Sequence, residues 1–212
     1  RGELRSPNWR GELIALGTAC DPYEPAEQKY GVTRRILQVL AEFHNPVSIT
    51  TKGALVVRDM DVLQELSRNA FCQVNFSVGT LDEEVWRKTE PKAPKPLKRL
   101  EALGRLARGG IRAGVLLAPI IPGLSDSPES LEAVVRAAKE HGAGYIAPCI
   151  LHLRPGSREY FMPLLREAYP HLSPLYARLY KGPYAPEEYT EQVVAVVDAL
   201  RQRYGLDERS MA

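Results

Sequence analysis

Five short apolar runs alternating with amphipathic stretches, a polar turn after each run, and three successive helical patterns after residue 156 predict an α/β fold. The expected architecture is a partial (β/α)6 TIM-like barrel of parallel strands over residues 1–156. A helical C-terminal extension over residues 157–212 is expected to pack on it. Strands this apolar suit parallel βα units covered on both faces better than a sheet wetted on one. An open doubly wound sheet is the alternative. The lack of a glycine-rich nucleotide fingerprint after the first strand favours the barrel.

The first apolar run, residues 12–16, reads as a buried strand, and residues 32–43 as a helix carrying Ile36, Leu37, Leu40 and Phe43 on one face. Residues 46–51 give the second strand. Residues 59–70 give the next helix, with Asp59 as its N-cap. A third strand over 72–78 precedes a short helix over 81–88 and a longer one over 96–108, which Gly109 and Gly110 end. Residues 111–121 form a long fourth strand, 128–141 a helix and 145–152 the fifth strand. Beyond it, residues 158–169, 172–180 and 186–204 read as helices with tyrosines scattered among them.

With 212 residues, 44% of them hydrophobic and 25% charged, the chain has the composition of a globular domain with a sizeable core. Its net charge of +2 is too small to argue by itself for a nucleic-acid partner. The longest apolar run, residues 114–121, is far shorter than the roughly 20 residues of a membrane helix, and no secretory leader pattern is visible. Cys20, Cys72 and Cys149 are too widely spaced for a CxxC pair and odd in number, which fits a reducing, cytoplasmic setting.

In parallel α/β folds ligands gather at the carboxyl ends of the strands. The residues there include Thr18, Cys20, Asp21 and Tyr23 after the first strand, Lys52 after the second and Ser77 at the third. Ala118 ends the fourth, and His152 and Arg154 follow the fifth. Each has a plainer reading. Lys52 is also a plausible solvated loop lysine, Asp21 the opening of an Asx turn and Ser77 a satisfied strand-end hydroxyl. Arg154 also fits pairing with a surface carboxylate, and Cys20 a small apolar residue. A cation, a carboxylate, hydroxyls and a thiol around one mouth suit a zwitterionic small molecule with a ribose.

The segments Leu16-Gly-Thr-Ala-Cys-Asp-Pro-Tyr-Glu-Pro-Ala-Glu27, Ile49-Thr-Thr-Lys52, Phe76-Ser-Val78, Thr89-Glu-Pro91 and Leu117-Ala-Pro-Ile-Ile-Pro122 together resemble the radical S-adenosylmethionine superfamily, in the branch related to spore photoproduct lyase. Leu151-His-Leu-Arg-Pro-Gly156 resembles a group of bacterial proteins in that branch. The resemblance implies a partial (β/α)6 barrel, a 4Fe-4S cluster on a CxxxCxxC loop, and reductive cleavage of S-adenosylmethionine. The resulting 5′-deoxyadenosyl radical takes hydrogen from substrate. It also implies an electron donor such as flavodoxin or ferredoxin, and a nucleic-acid substrate. By position, Lys52 would meet the cofactor carboxylate and Ser77 its methionyl or ribose end. Thr18, Cys20 and Asp21 would line the same pocket, Cys20 as the catalytic thiol, and Ala118 would present backbone to the adenine. Tyr23, His152 and Arg154 would face substrate.

The sequence contains no CxxxCxxC, so the barrel's first strand and the cluster loop are expected upstream of Arg1, and the chain alone is not expected to cleave S-adenosylmethionine. The position of the branch's hydrogen-returning cysteine reads Thr18, with Cys20 two residues on and on the same strand face. That speaks against thymine-dimer repair. Two other functions compete. One is a cluster-free barrel lyase or aldolase with Lys52 as an imine-forming amine, which would need a lowered lysine pKa. The other is a non-catalytic nucleic-acid-binding module using Arg34, Arg35, Lys88, Lys92, Lys95, Lys98, Arg99 and Arg105, charges that a solvated helix face explains equally well.

Overall fold

A computed structural model of the chain describes residues 1–206. Its five strands, β1 (Ile14–Leu16), β2 (Val47–Thr51), β3 (Cys72–Ser77), β4 (Arg112–Ile120) and β5 (Ile146–Ile150), form one parallel sheet in the order β1-β2-β3-β4-β5. A doubly wound sheet would reverse direction at a switch point. This order never reverses, so the sheet winds one way as a barrel does. It stays open between β1 and β5, a partial (β/α) barrel.

The helices are α1 (Pro25–Tyr30), α2 (Val32–Glu42), α3 (Met60–Asn69), α4 (Glu83–Thr89), α5 (Pro96–Arg108), α6 (Pro128–Glu140), α7 (Ser157–Ala168), α8 (Ser173–Leu179) and α9 (Glu187–Tyr204). Pro96 and Pro128 open α5 and α6, where a missing N–H removes no helical bond. The Asp82 side chain caps α4 and Ser127 caps α6. Asp59 does not cap α3 as expected: its side chain makes no cap hydrogen bond, because two half-buried arginines and a buried tyrosine occupy it.

Period-two alternation divides the sheet. Val47, Ile49, Val74, Phe76, Ala113, Val115 and Ile146 are buried in the main core beneath Leu37, Leu63, Leu66, Leu100, Leu103 and Val134 of the helices. The other face carries Ser48, Thr50, Gln73, Asn75, Ser77 and Arg112, aligned by Ser48↔Gln73↔Arg112 and Thr50↔Asn75 pairing. Complete burial of both faces, expected from the apolar runs, is therefore corrected. The inner wall is polar and knitted by its own bonds, Gln73 Nε2 to Ser48 Oγ at 2.9 Å and Asn75 Nδ2 to the Ile49 carbonyl at 3.0 Å. Tyr145 lies against Gly114, where an added Cβ would sit 2.4 Å from its ring, and donates its hydroxyl to Asn75.

β1 is shorter and wetter than the buried strand expected over 12–16. It pairs on one side only, Leu13 is 39% exposed, and Ala15 is exposed. Ile36 on α2 is likewise 40% exposed while Leu37 and Leu40 are buried. The open flank is a groove of about 660 Å³ lined by Leu4, Trp9, Ile14, Val32 and Ile36, with Trp9 Nε1 donating to Asn45 Oδ1 at 2.7 Å. α9 does not cover it. Its apolar stripe, Val193, Val197 and Leu200, packs on α6 and β5 at the opposite end of the sheet.

A second apolar cluster, including Ile121, Leu153, Phe161, Leu165, Tyr176 and Tyr180, joins α7 and α8 to the ends of β4 and β5. Residues 207–212 of the expected extension lie outside the described residues. Among the described residues, no helix is long and apolar enough to cross a membrane.

Candidate functional site

At the end of β1 the chain turns sharply onto β2. Gly17 has φ +95°, and a Cβ there would lie 2.0 Å from the Thr50 carbonyl oxygen. Gly17→Ala is therefore expected to destabilise the domain by at least the roughly 1–2 kcal/mol that a left-handed alanine costs, measured by urea unfolding. A neutral result would mean that this turn is not held as described. Asp21 then ties the turn to β2. Its Oδ1 accepts from the Tyr23 amide at 2.9 Å and the Thr51 hydroxyl at 2.5 Å, and its Oδ2 accepts from the Lys52 amide at 2.7 Å. The Asx turn read from the sequence is present, and both carboxylate oxygens serve the scaffold.

Two adjoining pockets open at the carboxyl end of the sheet. The first, about 180 Å³, is lined by Gly17, Cys20, Asp21, Thr50, Lys52 and Ser77. The second, about 310 Å³ and largely apolar, is bounded by Lys52, Glu90, Lys92, Pro119, Ile121, Leu151 and Tyr160. Lys52 belongs to both. Its Nζ lies 2.7 Å from Glu90 Oε1, with 36% of its side chain exposed. Glu90 Oε2 accepts from Arg99 Nη2 at 2.7 Å, and the same guanidinium donates to the carbonyls of Ser77 at 2.7 Å and Pro94 at 2.8 Å. Burial by itself would raise the Glu90 carboxyl; the charges of Arg99 and Lys52 outweigh it and hold the group below its ordinary range.

Four of the expected site residues, Cys20, Asp21, Lys52 and Ser77, converge on the first pocket. Thr18 stands exposed on the rim beside it, outside the lining. Ala118 is half-buried on β4 and lines neither pocket, but its neighbour Pro119 lines the second. Tyr23 corrects its expected role in substrate contact. It is 4% exposed and its hydroxyl donates to Asp59 at 3.0 Å, under the loop and away from the mouth; burial first, then Asp59, raises its pKa. His152 and Arg154 are exposed and form a separate cluster with Tyr184. The rings of His152 and Tyr184 meet edge to face at 4.8 Å, and Arg154 donates to the Tyr184 hydroxyl at 2.6 and 3.0 Å. Partial desolvation, then the Arg154 charge, lowers the His152 pKa.

Sequence reasoning missed Glu90 and Arg99 as site residues. Arg99 passed for a solvated helix charge, yet it falls on the stripe of Pro96, Leu100, Leu103 and Leu106, which is the buried face of α5. One member of the cationic stretch is corrected with it, and others are paired. Arg99 is fully buried, Lys88 pairs with Glu84, Lys95 with Glu83, and Arg34 with Asp59 and Asp61. Lys52 is partly exposed and pairs with Glu90 at 2.7 Å, whereas the lyase or aldolase alternative calls for a lysine buried away from carboxylates.

Among the described residues, no group of three or more His, Cys, Asp or Glu could hold a metal ion, and the three cysteines are free and apart. A cysteine-bound iron–sulfur cluster does not fit these residues. The first pocket offers a lysine, a carboxylate, hydroxyl-bearing residues and a thiol, next to an apolar slot.

No family model matches the sequence. An uncharacterized protein of Mycobacterium tuberculosis is 37% identical over 207 residues, 97% of this chain but 61% of that protein, so the chain spans about three fifths of the relative's length. A domain of pyruvate-formate lyase-activating enzyme from Bacteroides vulgatus matches with TM-score 0.55 at 14% identity, over 92% of this chain and 95% of that one. The chain thus has a fold of the radical S-adenosylmethionine type. Within that type it is similar to spore photoproduct lyase: a mutant of that enzyme with bound AdoMet and dinucleoside spore photoproduct matches with TM-score 0.67 at 13% identity. That match covers 91% of this chain and 58% of the lyase chain.

Proposed function

We propose that this chain forms the cofactor- and substrate-holding part of a radical S-adenosylmethionine enzyme acting in the cytoplasm. The observation that carries the reading is Lys52, whose ammonium is shared by a small polar pocket and an adjoining apolar one. In this reading Lys52 binds the cofactor carboxylate, and Ser77, with Thr18 on the rim, faces the ribose end. Asp21 acts through the scaffold by fixing the Lys52 amide. The apolar slot past Ala118, walled by Pro119 and Ile121, takes the adenine. Cys20, exposed at the mouth, would in this reading exchange a hydrogen atom with substrate. His152 and Arg154, rigidified by Tyr184, offer a cation and ring faces suited to a nucleic-acid substrate.

The reaction proposed for the whole protein is reductive cleavage of S-adenosylmethionine and hydrogen abstraction from substrate. A 4Fe-4S cluster with a flavodoxin or ferredoxin as electron donor belongs to that wider proposal. The described residues offer the cluster no ligand set, so for them the reading stops at binding and orienting cofactor and substrate.

Lys52→Ala is expected to weaken S-adenosylmethionine binding, read by titration calorimetry, by roughly ten- to hundredfold. That is the effect of losing a charge-assisted bond of about 1.5–3 kcal/mol. Equal affinity of variant and parent, or no binding by the parent, would overturn the reading.

A further inference from the structure

Lys52 is a long, flexible side chain, yet it stands at one place between two pockets, held by a half-buried carboxylate that is itself backed by a buried guanidinium. Arg99 has no exposed surface, and its guanidinium makes three hydrogen bonds to three different pieces of the rim. One fixes the carbonyl of Ser77, whose side chain faces the polar pocket. A second fixes the carbonyl of Pro94, next to the loop that walls the apolar pocket. The third fixes one oxygen of Glu90, leaving the other to hold Lys52 at 2.7 Å. The rim at β2, the rim at β3 and the loop before α5 are thus joined through one carboxylate and one guanidinium.

We infer that Glu90 and Arg99 are positioning residues: together they aim the Lys52 ammonium at the junction of the two pockets, so that a ligand filling the apolar one meets a cation at a fixed distance along its length. The inference rests on the reading that Lys52 binds an amino-acid carboxylate. Specificity follows from the arrangement. A nucleoside alone gains nothing from a fixed Lys52, whereas a nucleoside carrying an amino-acid tail gains a preset charge without the entropic cost of ordering a free lysine. Attraction by the ammonium alone would not need Glu90. A lysine left free in solvent would supply the same charge in many positions and gain less from each.

Two probes separate these possibilities in the intact chain. S-adenosylhomocysteine carries the amino-acid tail and no net charge; 5′-methylthioadenosine has the same nucleoside and thioether without the tail. The parent protein is expected to favour the first. Glu90→Gln keeps the shape of the side chain and its contact with Arg99 but gives up the ion pair. It is expected to bind S-adenosylhomocysteine about tenfold more weakly while 5′-methylthioadenosine changes less than twofold. Arg99→Lys keeps the charge but cannot make all three bonds, and should shift the same ratio in the same direction. As a readout independent of ligand, Lys52 should react faster with an amine-labelling reagent in Glu90→Gln than in the parent, measured by mass spectrometry of the peptide.

Equal losses for both probes would assign Glu90 a purely structural role and overturn the inference, as would unchanged affinity for S-adenosylhomocysteine or unchanged Lys52 labelling. If the parent shows no preference between the probes, or Lys52→Ala keeps the preference, the carboxylate reading itself fails. A preference lost in Lys52→Ala and kept in Glu90→Gln removes only the positioning role.

Discussion

Arg99→Ala is expected to cost the domain about 3–5 kcal/mol, because it removes a fully buried guanidinium together with its three hydrogen bonds and one of the two cations on Glu90. The guanidinium is fully buried, and its loss leaves the carbonyls of Ser77 and Pro94 without this donor and Glu90 with Lys52 alone. Domains of this kind are stable by about 5–15 kcal/mol in total, so the variant should lose a large part of its stability. Urea unfolding would show a much lower midpoint with little change in slope. A double variant, Arg99→Met with Glu90→Leu, should recover much of the loss, because replacing both members of a buried pair with apolar groups is often close to neutral. Lys52, already partly exposed, can then turn to water. A loss below about 1 kcal/mol in Arg99→Ala would mean that the guanidinium is not desolvated as described.

What could be read from the sequence followed from local rules. The strands and helices announced themselves through apolar runs, prolines at helix starts and paired glycines at a helix end. The longer helices fall close to their expected bounds, as α5 does at Pro96–Arg108. The convergence of Cys20, Asp21, Lys52 and Ser77 was legible because parallel strands deliver their C-terminal residues to one rim. What escaped depends on contacts distant in sequence. The polar inner wall was hidden because Ser48, Thr50, Gln73 and Asn75 sit within runs that read as apolar overall. Only their alternation, carried across three strands in register, separates the two faces. Tyr23 looked like a rim residue because it follows Asp21, but the Asx turn sends it inward. Glu90 and Arg99 were each visible as charges. That they meet Lys52 depends on how the loop before α5 folds back over β3, and no local pattern encodes that.

The same loop that carries Cys20 and Asp21 is anchored from behind, and Asp59→Ala is expected to show how firmly. The Asp59 carboxylate is fully buried and accepts from Arg58 Nε at 2.8 Å, Arg58 Nη2 at 3.0 Å, Arg34 Nη1 at 3.0 Å and the Tyr23 hydroxyl at 3.0 Å. Arg58 reaches on to Glu27 at 2.7 Å, and Glu27 accepts from the amides of Thr33 and Arg34 at the start of α2. Removing Asp59 leaves the buried Tyr23 hydroxyl without its acceptor, while Arg34 and Arg58, about 30% exposed, keep Asp61 and Glu27, a loss of roughly 1–3 kcal/mol. Asp59→Asn, which keeps the shape and part of the hydrogen bonding, should cost less. The network also has a pH signature. Arg34 lowers the pKa of Asp61 to about 2, and Glu27 is lowered too, since the Thr33 amide and Arg58 outweigh the effect of its burial. Carboxyls lowered in the folded state contribute fully above their unfolded pKa, near 4, and lose that contribution progressively as pH falls from there through the lowered values. The parent should therefore lose stability progressively as pH falls below about 4, and Asp59→Ala, with less stability in reserve, should unfold at a higher pH. Because Tyr23 ties the anchor to the Asp21 turn, the variant's remaining folded fraction should also bind S-adenosylmethionine more weakly. Circular dichroism through an acid titration, with calorimetry at neutral pH, would measure both effects. An acid midpoint equal to the parent's would show that the loop is held by its backbone alone.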